Sequence, residues 1–331
     1  MIPIPKPEDK QIKLHCRRVK SFITKHTLNG QLAISLLNYA IDQVKKGITF
    51  DDIIKMEIAD LMALKTFYDD YKVNKLPNLL KNRLTENDCS DYEEKNKDID
   101  FFNEIISFKK MDYYYTQFEK KYGMKIMNAS PVKVCPYCNR AEIHNADYHK
   151  TSQFDHFIPK GFEDNYPLFA LSYYNLIPSC TNCNHIKLSK NIPIISPYDN
   201  ELNNDSFHFD CKLKTENKIS VTIYPTIKNK KFRDAAKGLN KDLELKKLYS
   251  DSEFVNSKFF KMKNDLNDIL YNNYLDDLKN QYSIKKLNNI SAKKMYFEIY
   301  EDDSDFLIYP YSKITKEIGE KFNLFYYLNK L

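Results

Sequence analysis

Apolar residues recur every three to four positions in "QLAISLLNYAIDQVKKG", residues 31–47, and the spacing predicts an amphipathic helix closed by Gly47 as its C-cap. "TFDD" follows, with Thr49 as N-cap and Asp52 at the third helical position. "DDIIKMEIADLMALKTFYDDYK" keeps the same period, and "FFNEIISFKKMDYYYTQFEKKYG" predicts a further long helix ending at Gly123. Between them "TENDCSDYEEKNKD" is polar and reads as a loop or as the acidic start of the next helix. Residues 1–128 therefore form a helical N-terminal region. From residue 129 to 200, Pro and Asn punctuate short β-like pieces, which predicts a compact unit of hairpin and short helix. The remainder, 201–331, opens with "HFDCKLKTENKISVTIYP", whose strict alternation predicts a β-hairpin turning at "KTEN". Helical periods return after residue 229, in "DLELKKLY" and "FVNSKFFKMKNDLNDILYNNYLDDLKNQY". The class is α+β, and 331 residues suffice for two or three compact units.

The middle unit begins and ends on paired cysteines, Cys135/Cys138 and Cys180/Cys183. The remaining three, Cys16, Cys89 and Cys211, are scattered. Zn²⁺ takes four tetrahedral thiolate or imidazole ligands, and each Cys-x-x-Cys turn supplies two sulfurs to one side of such a tetrahedron. The 41 residues between the pairs (139–179) close at modest entropic cost, because that cost grows with the logarithm of length. A site of this kind contributes about 10–16 kcal/mol of apparent binding energy to folding, judged by zinc-finger peptides. A redox pair is the alternative for one Cys-x-x-Cys, and two pairs flanking one unit favour metal. His144 and His149 could complete a Cys₂His₂ site with Cys135 and Cys138, but they stand closer than finger spacing, which ranks this behind Cys₄. A Cys₄ site is closed, so its zinc is structural.

Between the pairs lies "SQFDHFIPKG". Side chains of neighbouring strand residues point to opposite faces, so bringing Asp155 and His156 to one site needs a bulge or a strand end. Taken in order, "CPYCNR", "FDHFIPKG", "YPLFALSYYNLIPSC" and "CNHIK" resemble the HNH (ββα-metal) endonuclease family in its zinc-stapled bacterial form, over about residues 131–200. The resemblance implies a zinc-bound ββα-metal core set between a helical N-terminal region and a mainly helical C-terminal one. It implies metal-dependent hydrolysis of phosphodiester bonds, with His156 as general base and Asp155 as metal ligand. Asn175 would fix the loop that carries the histidine. Asn184 would bind the metal from the short helix, with Lys187 one turn on, near the phosphate. Carboxylate and amide oxygens suit Mg²⁺ or Mn²⁺. The loop "KGFEDNYPLFALSYY" lacks the Gly-Gly pair of many relatives. The flanks resemble HNH subunits of phage-defence systems such as Septu, which work with an ATPase partner.

Charge sharpens the partner only slightly. The net charge is +6, and residues 129–200 carry six basic and six acidic residues, so the central unit is neutral. The densest basic cluster is "KNKKFR". With Lys160, Lys187 and Lys190, its Lys228, Lys230, Lys231 and Arg233 form the expected set of phosphate contacts on DNA. The bland alternative is a solvated face. "MDYYYTQFEKK" reads as helix packing. A double-strand break would need two successive nicks or two protomers, which makes a homo-oligomer a candidate partner. "MIPIPKPEDK" has no apolar core for a signal peptide and no run of about 18 apolar residues occurs, so the expectation is a cytoplasmic chain without a membrane span. The rivals to a nuclease are a zinc-stabilised binding module and a subunit active only with its partner.

Overall fold

Helices and three small two-stranded sheets make up the described chain, a mixed α+β architecture. The computed structural model describes residues 1–26, 34–35, 37–38, 41–42, 44–70, 108–143, 145–146, 149–150, 152–160, 166–188, 195–271, 298–300 and 302–323; the polar stretch at 85–98 lies outside them. These residues pack as two compact units. One comprises Pro5–Ser130 and Phe154–Ile177, the other Met1–Ile4, Pro131–Gln153 and Pro178–Leu331. Among the described residues no helix is long and apolar enough to cross a membrane.

The first unit is built on α1 (Asp9–His26), α2 (Phe50–Lys55), α3 (Ile58–Asp70) and α4 (Phe108–Phe118). In α1 the buried His15, Val19, Phe22 and Ile23 follow helical spacing. Gly47 sits at φ +79°, the left-handed geometry expected of a C-cap, and Thr49 and Asp52 close a reciprocal capping box on α2. The run that follows departs from expectation. It is two helices, because Met56 turns extended (ψ 130°) and Glu57 begins α3 by accepting from Leu61 N–H. No Gly or Pro marks this break; Lys6 holds the Glu57 carboxylate at 3.0 Å instead. Gly123 also departs. It stays helical (φ −55°) at the end of a π-helical turn, Glu119–Gly123, and the helix runs on as α5 (Met124–Ala129). A Cβ at Gly123 would stand 3.0 Å from Glu119 Cγ, on a flexible side chain, and 3.8 Å from the Phe154 ring, an ordinary contact distance, so this glycine is a helical residue rather than a cap. Tyr114, Tyr115 and Phe118 are buried, as the packing reading of the Tyr-rich stretch requires.

In the second unit the short strands β1 (Asn145–Ala146) and β2 (His149–Lys150) pair antiparallel. The predicted hairpin is formed by β5 (Phe207–Thr215) and β6 (Lys218–Pro225), turning at Glu216–Asn217. Its buried face, Phe207, Cys211, Ile219 and Val221, is joined by α7 (Lys230–Asp242), α8 (Leu245–Ser250), α9 (Glu253–Tyr271) and α10 (Ser312–Lys321), which contribute Ala236, Leu239, Tyr249, Phe259 and Ile318. Strands β3 (Ser152–His156) and β4 (Leu176–Cys180) form the remaining sheet, and α6 (Thr181–Leu188) follows β4 directly.

Candidate metal centre and histidine site

Cys135 and Cys138 flank a tight turn held by a short ladder. Cys135 N–H donates to Ala141 O (2.9 Å) and Ile143 N–H to Lys133 O (2.8 Å), while Asn139 N–H closes on Cys135 O at 2.7 Å. Asn139 adopts φ +48°, a conformation that Asn tolerates better than most residues. Its side chain donates to Phe306 O (2.6 Å), and its carbonyl accepts from Tyr311 N–H (2.6 Å), which ties the turn to the chain entering α10. Cys180 ends β4 and Cys183 lies in the first turn of α6, where its N–H reaches Cys180 Sγ at 3.5 Å. The result is four buried sulfurs within 4.8 Å of one another.

This arrangement fits zinc. A Zn–S length of about 2.3 Å implies sulfurs roughly 3.8 Å apart in a tetrahedron, and no disulfide joins the four. Hydrogen bonds from Cys135 draw Cys138 and Cys180 toward thiolate. Burial holds Cys135 up, and hydrogen bonding within the quartet holds Cys183 up. A Zn²⁺ bound by all four sulfurs as thiolates would displace the remaining thiol protons and leave a net charge of −2. Arg140 stands beside it: burial opposes its charge, but Cys138, the nearby tyrosines and Cys183 outweigh that and raise its pKa. The Tyr249 hydroxyl donates to Cys138 O. Sequence reasoning missed Asn139, Arg140 and Tyr249; the left-handed turn after Cys-x-x-Cys was the one available signal. His144 lies outside the described residues, as does the side chain of His149.

The acid and the histidine stand at the end of β3. Asp155 is buried, and the half-buried His156 is the last residue of the strand. His156 Nε2 lies 3.0 Å from Ala170 O. A carbonyl can only accept, so the proton sits on Nε2 and the basic lone pair on Nδ1. The ring meets Tyr115 edge-on at 4.4 Å, and Lys160 Nζ lies over the other side chain in this pairing, 4.0 Å from the Tyr115 ring. Asn175 is fully buried. Its Oδ1 accepts from Ile158 N–H (2.6 Å), and its Nδ2 donates to Ile158 O (3.1 Å) and Phe169 O (2.9 Å). It is a clamp with both ends engaged.

On α6, Asn184 is 7% exposed and His185 is exposed, as the divergence of successive helical side chains requires. Asn184 Nδ2 donates to Gln153 Oε1 at 2.6 Å, so Oδ1 is the atom able to accept a cation. Lys187 is buried at 8% rather than displayed. Lys190 lies outside the described residues. Lys228, Lys230 and Lys231 are exposed at the start of α7. Arg233 does other work: its guanidinium donates to Ile227 O (2.9 Å) and Lys228 O (3.3 Å), bracing the turn before the helix.

Comparison with protein-family models, with curated proteins and with solved structures found no match.

Proposed function

We propose that the chain is a metal-dependent HNH-type endonuclease that hydrolyses phosphodiester bonds in DNA. The observation that supports this reading is the 3.0 Å approach of His156 Nε2 to the Ala170 carbonyl. With the Nε2 proton given to Ala170 O, Nδ1 is the ring nitrogen that would act as the base. In the reaction a water oxygen attacks phosphorus and its proton passes to Nδ1. The bond to the leaving 3′ oxygen breaks and that oxygen takes a proton from a second, solvent water, giving a 3′-hydroxyl and a 5′-phosphate. Asp155 and the Asn184 Oδ1 are hard oxygen donors of the kind that hold Mg²⁺ or Mn²⁺. Such an ion, when bound, polarises the phosphoryl oxygen and stabilises the leaving oxygen. Asn175 keeps the loop after His156 in place. Exposed Lys228, Lys230 and Lys231 supply affinity without sequence information.

The test is supercoiled plasmid incubated with pure protein and Mg²⁺ or Mn²⁺, with EDTA as control, comparing wild type, Asn184→Ala and His185→Ala. Nicked circles with 5′-phosphate ends are expected from wild type and His185→Ala, and little product from Asn184→Ala. The reverse pattern of the two variants would refute the ligand assignment. A wild type that retards the plasmid yet leaves it intact would favour a zinc-stapled binding module, the reading supported by the exposed Lys228, Lys230 and Lys231 at and just before the start of α7. An ATPase partner, proposed on the resemblance to Septu subunits, is the addition to make in that event.

A further inference from the structure

Three consecutive carbonyls, those of Phe169, Ala170 and Leu171, each accept from a different side chain. Asn175 Nδ2 takes the first at 2.9 Å, His156 Nε2 the second at 3.0 Å, and His15 Nε2 the third at 2.8 Å. Ser172 N–H closes the turn on Phe169 O at 3.1 Å. His15 belongs to α1, 156 residues away from Leu171 in sequence. Its ring is fixed by edge-on contacts with Phe118 (5.6 Å, 88°) and Tyr173 (5.2 Å, 85°), and it is 1% exposed.

We propose that His15 is a positioning residue for His156, acting through the Ala170–Leu171 turn. The inference rests on the reading of His156 as general base. Each residue has only two soft backbone dihedrals, so a carbonyl flanked by two pinned peptide planes has little freedom of its own. Asn175 pins the plane before Ala170 O and His15 the plane after it. The Ala170 carbonyl is thereby aimed at His156 Nε2, and that bond decides which imidazole nitrogen is basic. Pure packing would not require a donor. His15 Nδ1 is buried with no hydrogen-bond partner, so the imidazole is present for its Nε2–H. Burial lowers the His15 pKa to about 4, which keeps it a neutral donor at physiological pH.

The experiment uses the zinc-loaded full chain with ¹⁵N-labelled histidine, comparing wild type, His15→Phe and His15→Gln. Phe keeps an aromatic ring between Phe118 and Tyr173 but has no donor; Gln keeps an amide N–H near the Nε2 position. In wild type both His15 and His156 should carry their proton on Nε2. In His15→Phe the His156 nitrogens should show averaged tautomers, and plasmid nicking with Mn²⁺ should lose on the order of tenfold in kcat with KM unchanged. His15→Gln should restore both readings. A folded His15→Phe with wild-type His156 shifts and kcat would overturn the proposal. So would wild-type His15 with its proton on Nδ1, a result that needs no variant. If wild type cuts no plasmid, the nuclease reading fails, and the tautomer measurement still decides whether His15 positions His156.

Discussion

Asn175→Ala should be among the more damaging single substitutions near the histidine. The side chain is fully buried and makes three hydrogen bonds to backbone. Truncation strands the Ile158 N–H, and an unsatisfied buried donor costs about 1–3 kcal/mol, with each lost bond to a carbonyl adding about 0.5–1.5 kcal/mol. Phe169 O suffers least because Ser172 N–H remains bonded to it. The expected loss is about 2–5 kcal/mol, a large share of the roughly 5–15 kcal/mol that holds a domain folded. Asn175→Asp separates the donor from the acceptor. A carboxylate would keep the Ile158 N–H bond but turn an oxygen toward two carbonyls. The folded state should then favour the neutral acid and bind its proton more tightly than the unfolded chain. Stability of this variant should therefore be greatest in acid and fall as pH rises through the raised carboxyl pKa. Urea unfolding at fixed zinc, with amide exchange at Ile158, measures both. Asn175→Ala within about 0.5 kcal/mol of wild type, a shift typical of surface substitutions, or an unchanged Ile158 protection, would refute the clamp.

Metal analysis should find about one zinc per chain, and Cys180→Ser should lower thermal stability far more than Cys211→Ser; folded protein free of zinc would contradict this. The depressed His15 pKa, about 4 against 6.5 unfolded, means the unfolded state binds the extra proton first as pH falls. Its contribution is present above about pH 6.5 and is lost toward pH 4, on the order of 3 kcal/mol in all; His15→Gln should flatten that part of the stability profile, measured by urea unfolding across pH. Gly47→Ala, at positive φ, should cost about 1 kcal/mol, whereas Gly123→Ala should be near neutral or slightly stabilising, provided the flexible Glu119 side chain yields. Thermal melts of the pair distinguish a cap from a helical glycine.

Features written into neighbouring residues were legible in the sequence. The Thr49–Asp52 box and the left-handed Gly47 follow from residue chemistry within one turn. The 207–225 hairpin follows from strict alternation broken by Glu216–Asn217, and the sulfur quartet follows from two spaced pairs. Features set by distant partners were not legible. The helical break at Met56 has no local breaker and coincides with the Lys6–Glu57 ion pair. Gly123 resembles a stop signal, yet its backbone stays helical and the helix runs on through it into Met124–Ala129. Arg233 looks like one more phosphate contact until its guanidinium is seen on two carbonyls of its own loop. His15 carried no motif; only the fold brings it to the turn that holds His156.

The most direct test of the account is the initial rate of plasmid nicking by His156→Ala in Mn²⁺, measured on protein whose zinc content and melting temperature match wild type. If His156 takes the proton from the attacking water, nicking should fall by at least about a hundredfold, the range lost when a general base is removed. A zinc-replete, folded His156→Ala that nicks at the wild-type rate would contradict it.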